Sequence, residues 1–212
     1  MAAERPTVAI LDTGAGDVQS LVTALVDAGA LATVTRDRDL IANADGLAVG
    51  GEGAFSDVMA ELRETRGGEL IERRLAGGRP VLAIGVAMHV MFDGAEVNEV
   101  MVDGLAQWPG VVAELNAPTL PHSGWITVDS ASGSTLFAGI EDQLFNFTNS
   151  AAAKEWTLEV YGAFAAPRVT YAVSSERFIA AVENGPLSAI QFHPEDSGVA
   201  GLQFLRNWIS SL

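Results

Sequence analysis

Four short apolar runs each break off into a loop rich in glycine or acidic residues, and this repetition constrains the fold more than any other feature. Thr7 to Leu11 (TVAIL) leads into "DTGAGD", and Gly46 to Val49 (GLAV) leads into "GGEGAF". Pro80 to Ile84 (PVLAI) meets a tight turn at Gly85, and Ser188 to Gln191 opens "QFHPEDSG". Leu31 to Thr35 is a fifth extended run. Helical apolar spacing follows at Leu21 to Ala28, Ala54 to Glu64 and Gly68 to Ala76, and the spacing after Gly85 predicts an amphipathic helix to about Phe92. Strands that alternate with helices pair in parallel and are covered on both faces. Ligands then bind at the carboxyl edge of the strands, where all four loops fall.

The second half has a different rhythm. Gly110 to Glu114, Ile126 to Val128, Phe145 to Phe147, Thr157 to Tyr161, Thr170 to Val173 and Ile179 to Glu183 are short extended runs between turn residues. They predict antiparallel or mixed strands added to the parallel sheet. Gly198 to Ile209 has helical spacing and closes the chain as a helix. No repeat or Pro/Gly/Ser-rich linker divides the 212 residues, so one domain spanning 1–212 is expected.

Composition excludes several classes of function. Net charge is −15 with only 12 Lys and Arg, which disfavours nucleic acid or an anionic membrane as partner. There is no Cys, so disulfides, thiolate metal sites and thiol catalysis are all ruled out. The N-terminus lacks a signal-like apolar core, and no apolar run is long enough to span a bilayer. A cytoplasmic protein is expected.

The loops themselves admit two readings each. "DTGAGD" lacks the Gly-Lys-Ser/Thr ending of a phosphate-binding loop, and its glycines equally serve a tight turn. His193 with Glu195 two positions on can form a base held by a carboxylate, or a structural histidine followed by a helix-start acid. His89 lies one helical turn beyond Gly85 and can face it, although a lone helix histidine is commonly solvated. His122, before Ser123 and Gly124, reads as a plain turn residue.

Longer stretches carry a resemblance. "RPVLAIGVAMHVMF", "GLAQWPGVV", "LPHSGWITV", "RFIAAVENGPLSAIQFHPEDSG" and "LRNWI" resemble, in order and spacing, the class I glutamine amidotransferases. Within them they look most like the glutaminase subunits of imidazole glycerol phosphate synthase, over essentially the whole chain. The resemblance implies a three-layer, flavodoxin-like α/β fold, with a mainly parallel central sheet and added antiparallel strands. It implies hydrolysis of glutamine to glutamate and ammonia, with no cofactor or metal, and delivery of ammonia to a (β/α)8-barrel cyclase partner in histidine biosynthesis. The family's Cys in Gly-x-Cys-x-Gly attacks the amide, the His and Glu of His-Pro-Glu complete a triad, and backbone N–H groups hold the oxyanion.

Carried over by position, His193 is the base, Glu195 its orienter, and Gly85 the place of the nucleophile. Gly51, Glu52, Gly53, His89, Asn149 and Ser150 fall on the glutamine pocket, and Thr13, Asp17, Trp125, Asn146 and Asp196 on the cyclase-facing edge. The departures from the family concentrate there. Gly85 replaces Cys, Ala83 and Ala87 replace the flanking glycines, and His89 replaces a substrate-holding Gln. Glu52 puts a carboxylate into the Pro-Gly-Val-Gly loop, Asn146 replaces an aromatic residue, and Asp196 reverses the charge of a Lys. A side chain at position 85 is indispensable for acyl-enzyme chemistry. These departures imply an inactive or repurposed homologue with weakened cyclase binding. Two alternatives stay open: an engineered variant of a genuine glutaminase subunit, or a new acid/base or metal site drawn from Glu52, His89, His193 and Glu195.

Overall fold

A computed structural model describes residues 5–13, 18–158 and 166–212. Its larger sheet has nine strands in the order β2-β1-β3-β4-β13-β12-β11-β8-β9. The first five, β2 (Leu31–Thr35), β1 (Thr7–Leu11), β3 (Gly46–Gly51), β4 (Val81–Gly85) and β13 (Leu187–Ile190), pair in parallel. The sheet continues antiparallel through β12 (Arg177–Asn184), β11 (Arg168–Val173), β8 (His122–Asp129) and β9 (Leu144–Asn149). The parallel strands of the centre are nearly continuous apolar runs because both of their faces are covered: β4 is buried at every residue.

A core lies on each face. On one side, Val8, Ile10, Leu82 and Ile84 pack with Leu21 and Leu25 of α1 (Val18–Ala28) and Phe204, Leu205 and Trp208 of α6 (Gly198–Ile209). On the other, Ala9, Leu11, Val49 and Ala83 meet Ile41 of α2 (Arg38–Asn43), Val58 and Leu62 of α3 (Phe55–Glu64) and Ile71 of α4 (Gly67–Ala76). These are the three layers. Among the described residues, no helix is long and apolar enough to cross a membrane.

The expected helix from Gly85 to Phe92 is corrected. α5 covers only Val86–His89, and Phe92 begins β5 (Phe92–Val97). Ala87 to Phe92 are all buried, so the stretch has no polar face to make an amphipathic helix. The chain instead enters a separate four-stranded sheet, β10-β7-β5-β6, with β6 at Val100–Asp103, β7 at Trp108–Glu114 and β10 at Ala151–Ala153. Phe92, Trp108 and Trp156 meet edge to face at its base, with ring centroids 5.5–6.4 Å apart. His122 is likewise no turn residue: it starts β8, opposite Asn149 of β9. Polar and small residues suit that strand because one face of the pair is open to solvent. α2 is absent from the sequence reading, although Asp37 caps it, accepting from the N–H groups of Asp39 and Leu40. Of the strand expected at Thr157 to Tyr161, Thr157 and Leu158 are irregular and the rest lies outside the described residues.

Candidate functional site

The carboxyl ends of β3, β4 and β13 come together beside the small sheet. A cavity of about 610 Å³ opens there, within the usual size of a small-molecule site. Gly85 stands at the end of β4 with φ 65° and ψ −127°, directly before the first turn of α5. This is a sharp strand-to-helix elbow, the geometry that thrusts a nucleophile into a site. Gly51 is its partner in the β3–β4 register. A Cβ built on Gly85 would lie 2.7 Å from the Gly51 carbonyl oxygen and 2.7 Å from His193 Nε2. The elbow therefore aims at the imidazole, and its direction is the one a catalytic nucleophile would take.

His193 is held from several sides. The preceding Phe192 is fully buried, with its ring 4.5 Å from Phe145 and 5.3–6.0 Å from Phe137, Phe147 and Phe204. Ser197 accepts from the Asn146 N–H at 3.1 Å and donates to the His193 carbonyl at 2.8 Å, tying the turn to β9. On the other ring edge, Nδ1 lies 2.9 Å from Glu195 Oε1. Nδ1 is thus the donor, and Nε2 is left facing Gly85. Burial pushes the His193 pKa down, but the Glu195 hydrogen bond and charge, with further help from Glu52 and Asp196, outweigh it and leave it raised. The structure thus sets a carboxylate-held imidazole beside the elbow.

His89 is 5% exposed, and its Nε2 is hydrogen-bonded to Gln191 Oε1. Because Oε1 only accepts, His89 is the donor. Burial pushes its pKa down to about 4, against the opposing Gln191 hydrogen bond, so the ring is neutral at pH 7. The solvated reading of this histidine is corrected. A pH signature follows. An unfolded chain takes up the proton near pH 6.5, the folded chain only near 4, so stability falls as pH drops through that window. The full loss is about 3 kcal/mol. Between pH 7 and pH 4.5, the parent chain should lose roughly 2 kcal/mol more than a His89→Gln variant. Urea unfolding at both pH values measures this; equal losses in the two chains would refute it.

The remaining expectations divide. Gly51, Glu52 and Gly53 line the cavity, as do Asn149 and Ser150. Asn146 and Asp196, expected on the partner-facing edge, also line it. Trp125 stands apart on the open face of β8, 53% exposed. Thr13 is buried at 3% exposure, so its side chain is not presented to a partner, and Asp17 lies outside the described residues. Among the described residues no group of three or more His, Cys, Asp or Glu is placed to hold a metal ion. Sequence reasoning missed Ser197, Gln191, Glu96 and Glu114. Gln191, directly at the end of β13 and two residues before His193, was within reach of the strand-edge rule. Glu96 and Glu114 were not, because β5 and its pairing were unseen.

No family model matches the chain. Among curated proteins it is 53% identical to an imidazole glycerol phosphate synthase subunit HisH of Nocardia farcinica, over 98% of this chain and 99% of that protein. The HisH subunit of Leifsonia xyli is also 53% identical, with the same coverage, and that of Streptomyces avermitilis 49%, over 97% and 96%. Among solved structures, a glutamine amidotransferase superposes with TM-score 0.69 at 17% identity, over 95% of this chain and 98% of that one. PurLQS from Thermotoga maritima gives 0.71 at 12% identity, over 98% and 99%. These likenesses establish the class I glutamine amidotransferase fold. With half of its residues shared along nearly its whole length, the chain belongs to the family of imidazole glycerol phosphate synthase HisH subunits.

Proposed function

We propose that this chain is a single amidotransferase-like unit that no longer hydrolyses glutamine through an acyl-enzyme: a silent or repurposed HisH homologue. One observation carries the reading. The elbow residue is Gly85, its missing Cβ would point at His193 Nε2, and the chain has no cysteine to stand in. The surroundings support it. The Gly51 carbonyl, an acceptor, faces the nucleophile position, and the Glu52 carboxylate lines the same cavity, whereas a developing oxyanion needs N–H donors close by.

The names of the relatives imply a partner subunit, and the family's partner is the (β/α)8-barrel cyclase. Asn146 and Asp196 stand where the family has an aromatic residue and a Lys, so association with that barrel is weakened. The test is glutamate release from glutamine, with and without the cyclase and its bound substrate. Release indistinguishable from a blank is expected in both, and measurable turnover would sink the proposal. Nanomolar binding to the cyclase in the same experiment would overturn the weakened interface. A second reading, an engineered form of a working glutaminase, is favoured by the preserved elbow and the 2.9 Å His193–Glu195 contact. Restoring the cysteine separates the two.

A further inference from the structure

Gly85 leaves one ring nitrogen of His193 open. His193 lines the cavity with 17% of its side chain exposed, and its Nδ1–H is committed to Glu195 at 2.9 Å. In the neutral ring Nε2 carries a lone pair, and among the described residues it has no hydrogen-bond partner. A Cβ at position 85 would stand 2.7 Å from this atom and 2.7 Å from the Gly51 carbonyl oxygen. Two acceptors therefore converge on the space that a side chain at position 85 would enter. Water has two protons to give and suits such a pair. One hydrogen bond to Gly51 orients it, and the other offers its proton to the base.

Gln191 adds a donor. It is 2% exposed and lines the same cavity. Its Oε1 is engaged by His89, which fixes the amide with its nitrogen turned away from that ring. The nitrogen has no partner among the described residues and is not sealed from solvent, so its N–H groups open on the cavity. Ile190 pairs with Ile84, and Gln191 and Gly85 are the residues that follow them, so the donor stands beside the elbow. An unmatched donor on a buried side chain there suits a carbonyl oxygen on which negative charge develops.

We propose that this cavity hydrolyses small, uncharged, activated esters of phenols by a route that needs no side chain at position 85, with His193 as general base on water. Water attacks the carbonyl carbon as its proton passes to Nε2, and the π pair of the carbonyl moves to the oxygen held by Gln191. That pair returns as the ester C–O bond breaks, and the leaving oxygen takes the proton from Nε2. The carboxylic acid and the phenol are released, and the imidazole is neutral again. General-base assistance is worth roughly 10²–10⁴ in rate, enough for an activated ester and too little for an amide. Glu52 and Asp196 line the cavity and disfavour an anionic ester. The proposal rests on the reading that no acyl-enzyme forms here. Glutamine turnover would overturn that reading, whereas absence of ester hydrolysis would overturn only this one.

The test follows nitrophenolate release by the purified chain from para-nitrophenyl acetate and from its anionic counterpart, the para-nitrophenyl half-ester of succinate. Saturable turnover of the acetate is expected, without a burst, slower in heavy water, and faster than that of the half-ester. The chain has three histidines and no cysteine, so the background is readable. His193→Gln should lower the rate by about a hundredfold or more. Gly85→Ala, whose methyl group would crowd Nε2, should lower it on the order of tenfold or more. His193→Gln adds no atom to the elbow and keeps the test valid where the alanine variant does not fold. His122→Gln, on β8, should leave the rate unchanged. Glu195→Gln should move the pH at which activity appears to lower values, because the hydrogen bond and charge that raise the His193 pKa are lost. No turnover above the blank overturns the proposal, as does an undiminished rate in folded His193→Gln or Gly85→Ala. So does a burst, which would mark a covalent acyl-enzyme, or equal or faster turnover of the half-ester.

Discussion

Gly85→Cys alone is expected to leave glutamine hydrolysis at background, at least about a thousandfold below a typical turnover of ~10 per second. The single change supplies the sulfur but not its setting. A Cβ at position 85 lies 2.7 Å from both the Gly51 carbonyl oxygen and His193 Nε2, closer than side-chain carbons approach such atoms. Both contacts need relief: the imidazole must move, which breaks its 2.9 Å contact with Glu195, and the end of β3 at Gly51 must move with the loop that follows it. With the imidazole displaced, the thiol loses its base. Unless the loop is displaced altogether, a carbonyl and the Glu52 carboxylate remain beside the developing oxyanion, where one preorganised donor alone is worth roughly 10²–10³ in rate. The same φ of 65° that glycine adopts freely costs another residue about 1–3 kcal/mol, so the variant should also unfold earlier in denaturant. Adding Glu52→Val, the family residue, should raise any residual rate by about 10²-fold over the single variant. Full turnover by Gly85→Cys alone would instead establish an engineered glutaminase with one altered residue.

The parallel half of the fold was readable because its signals are local and redundant. β1 and β2 match the sequence reading residue for residue, since β-branched runs bounded by turn residues leave little choice. α6 matches for the same reason: its apolar residues repeat at helical spacing after Gly198. The stretch after Gly85 failed because its information is not local. An unbroken buried run suits a strand as well as a helix, and only the pairing of β5 with β7 and β6 decides.

The site divides along the same line. The residues of the His193–Pro194–Glu195 turn are contiguous, and their contact follows from spacing of two. The rest of the cavity lining is not contiguous. Asn149, Glu96, Glu114 and Gln191 meet only because two sheets are set side by side. His89 shows the limit most clearly. Its position one turn beyond the elbow was legible, but its neutrality comes from burial, against the opposing hydrogen bond to Gln191, which lies 102 positions away.

Gly201→Ala should lower stability by about 2 kcal/mol or more, although alanine is the better helix former by ~1 kcal/mol. Gly201 is buried in α6, where the helix crosses the turn that carries His193. A Cβ there would overlap the Pro194 carbonyl oxygen and lie 2.7 Å from its carbon. Both are backbone atoms, so no rotamer change relieves the contact. α6 is anchored by Phe204, Leu205 and Trp208, all at 2% exposure or less, and cannot retreat without opening that core. The turn is the softer side, and it should yield. Pro194 then moves with its neighbours, Ser197 loses its bridge between Asn146 and His193, and Glu195 is drawn off the imidazole. Two measurements follow one cause. The melting temperature should fall by roughly 4–8 °C for a chain of this size. The His193 pKa, followed by NMR, should move down from its raised value, because the contacts with Glu195 that raise it are weakened. An unchanged melting temperature would show that helix and turn are not in the tight contact described. A lowered melting temperature with an unmoved His193 would show that the strain is absorbed in α6, and that the close approach of Gly201 serves packing without positioning the base.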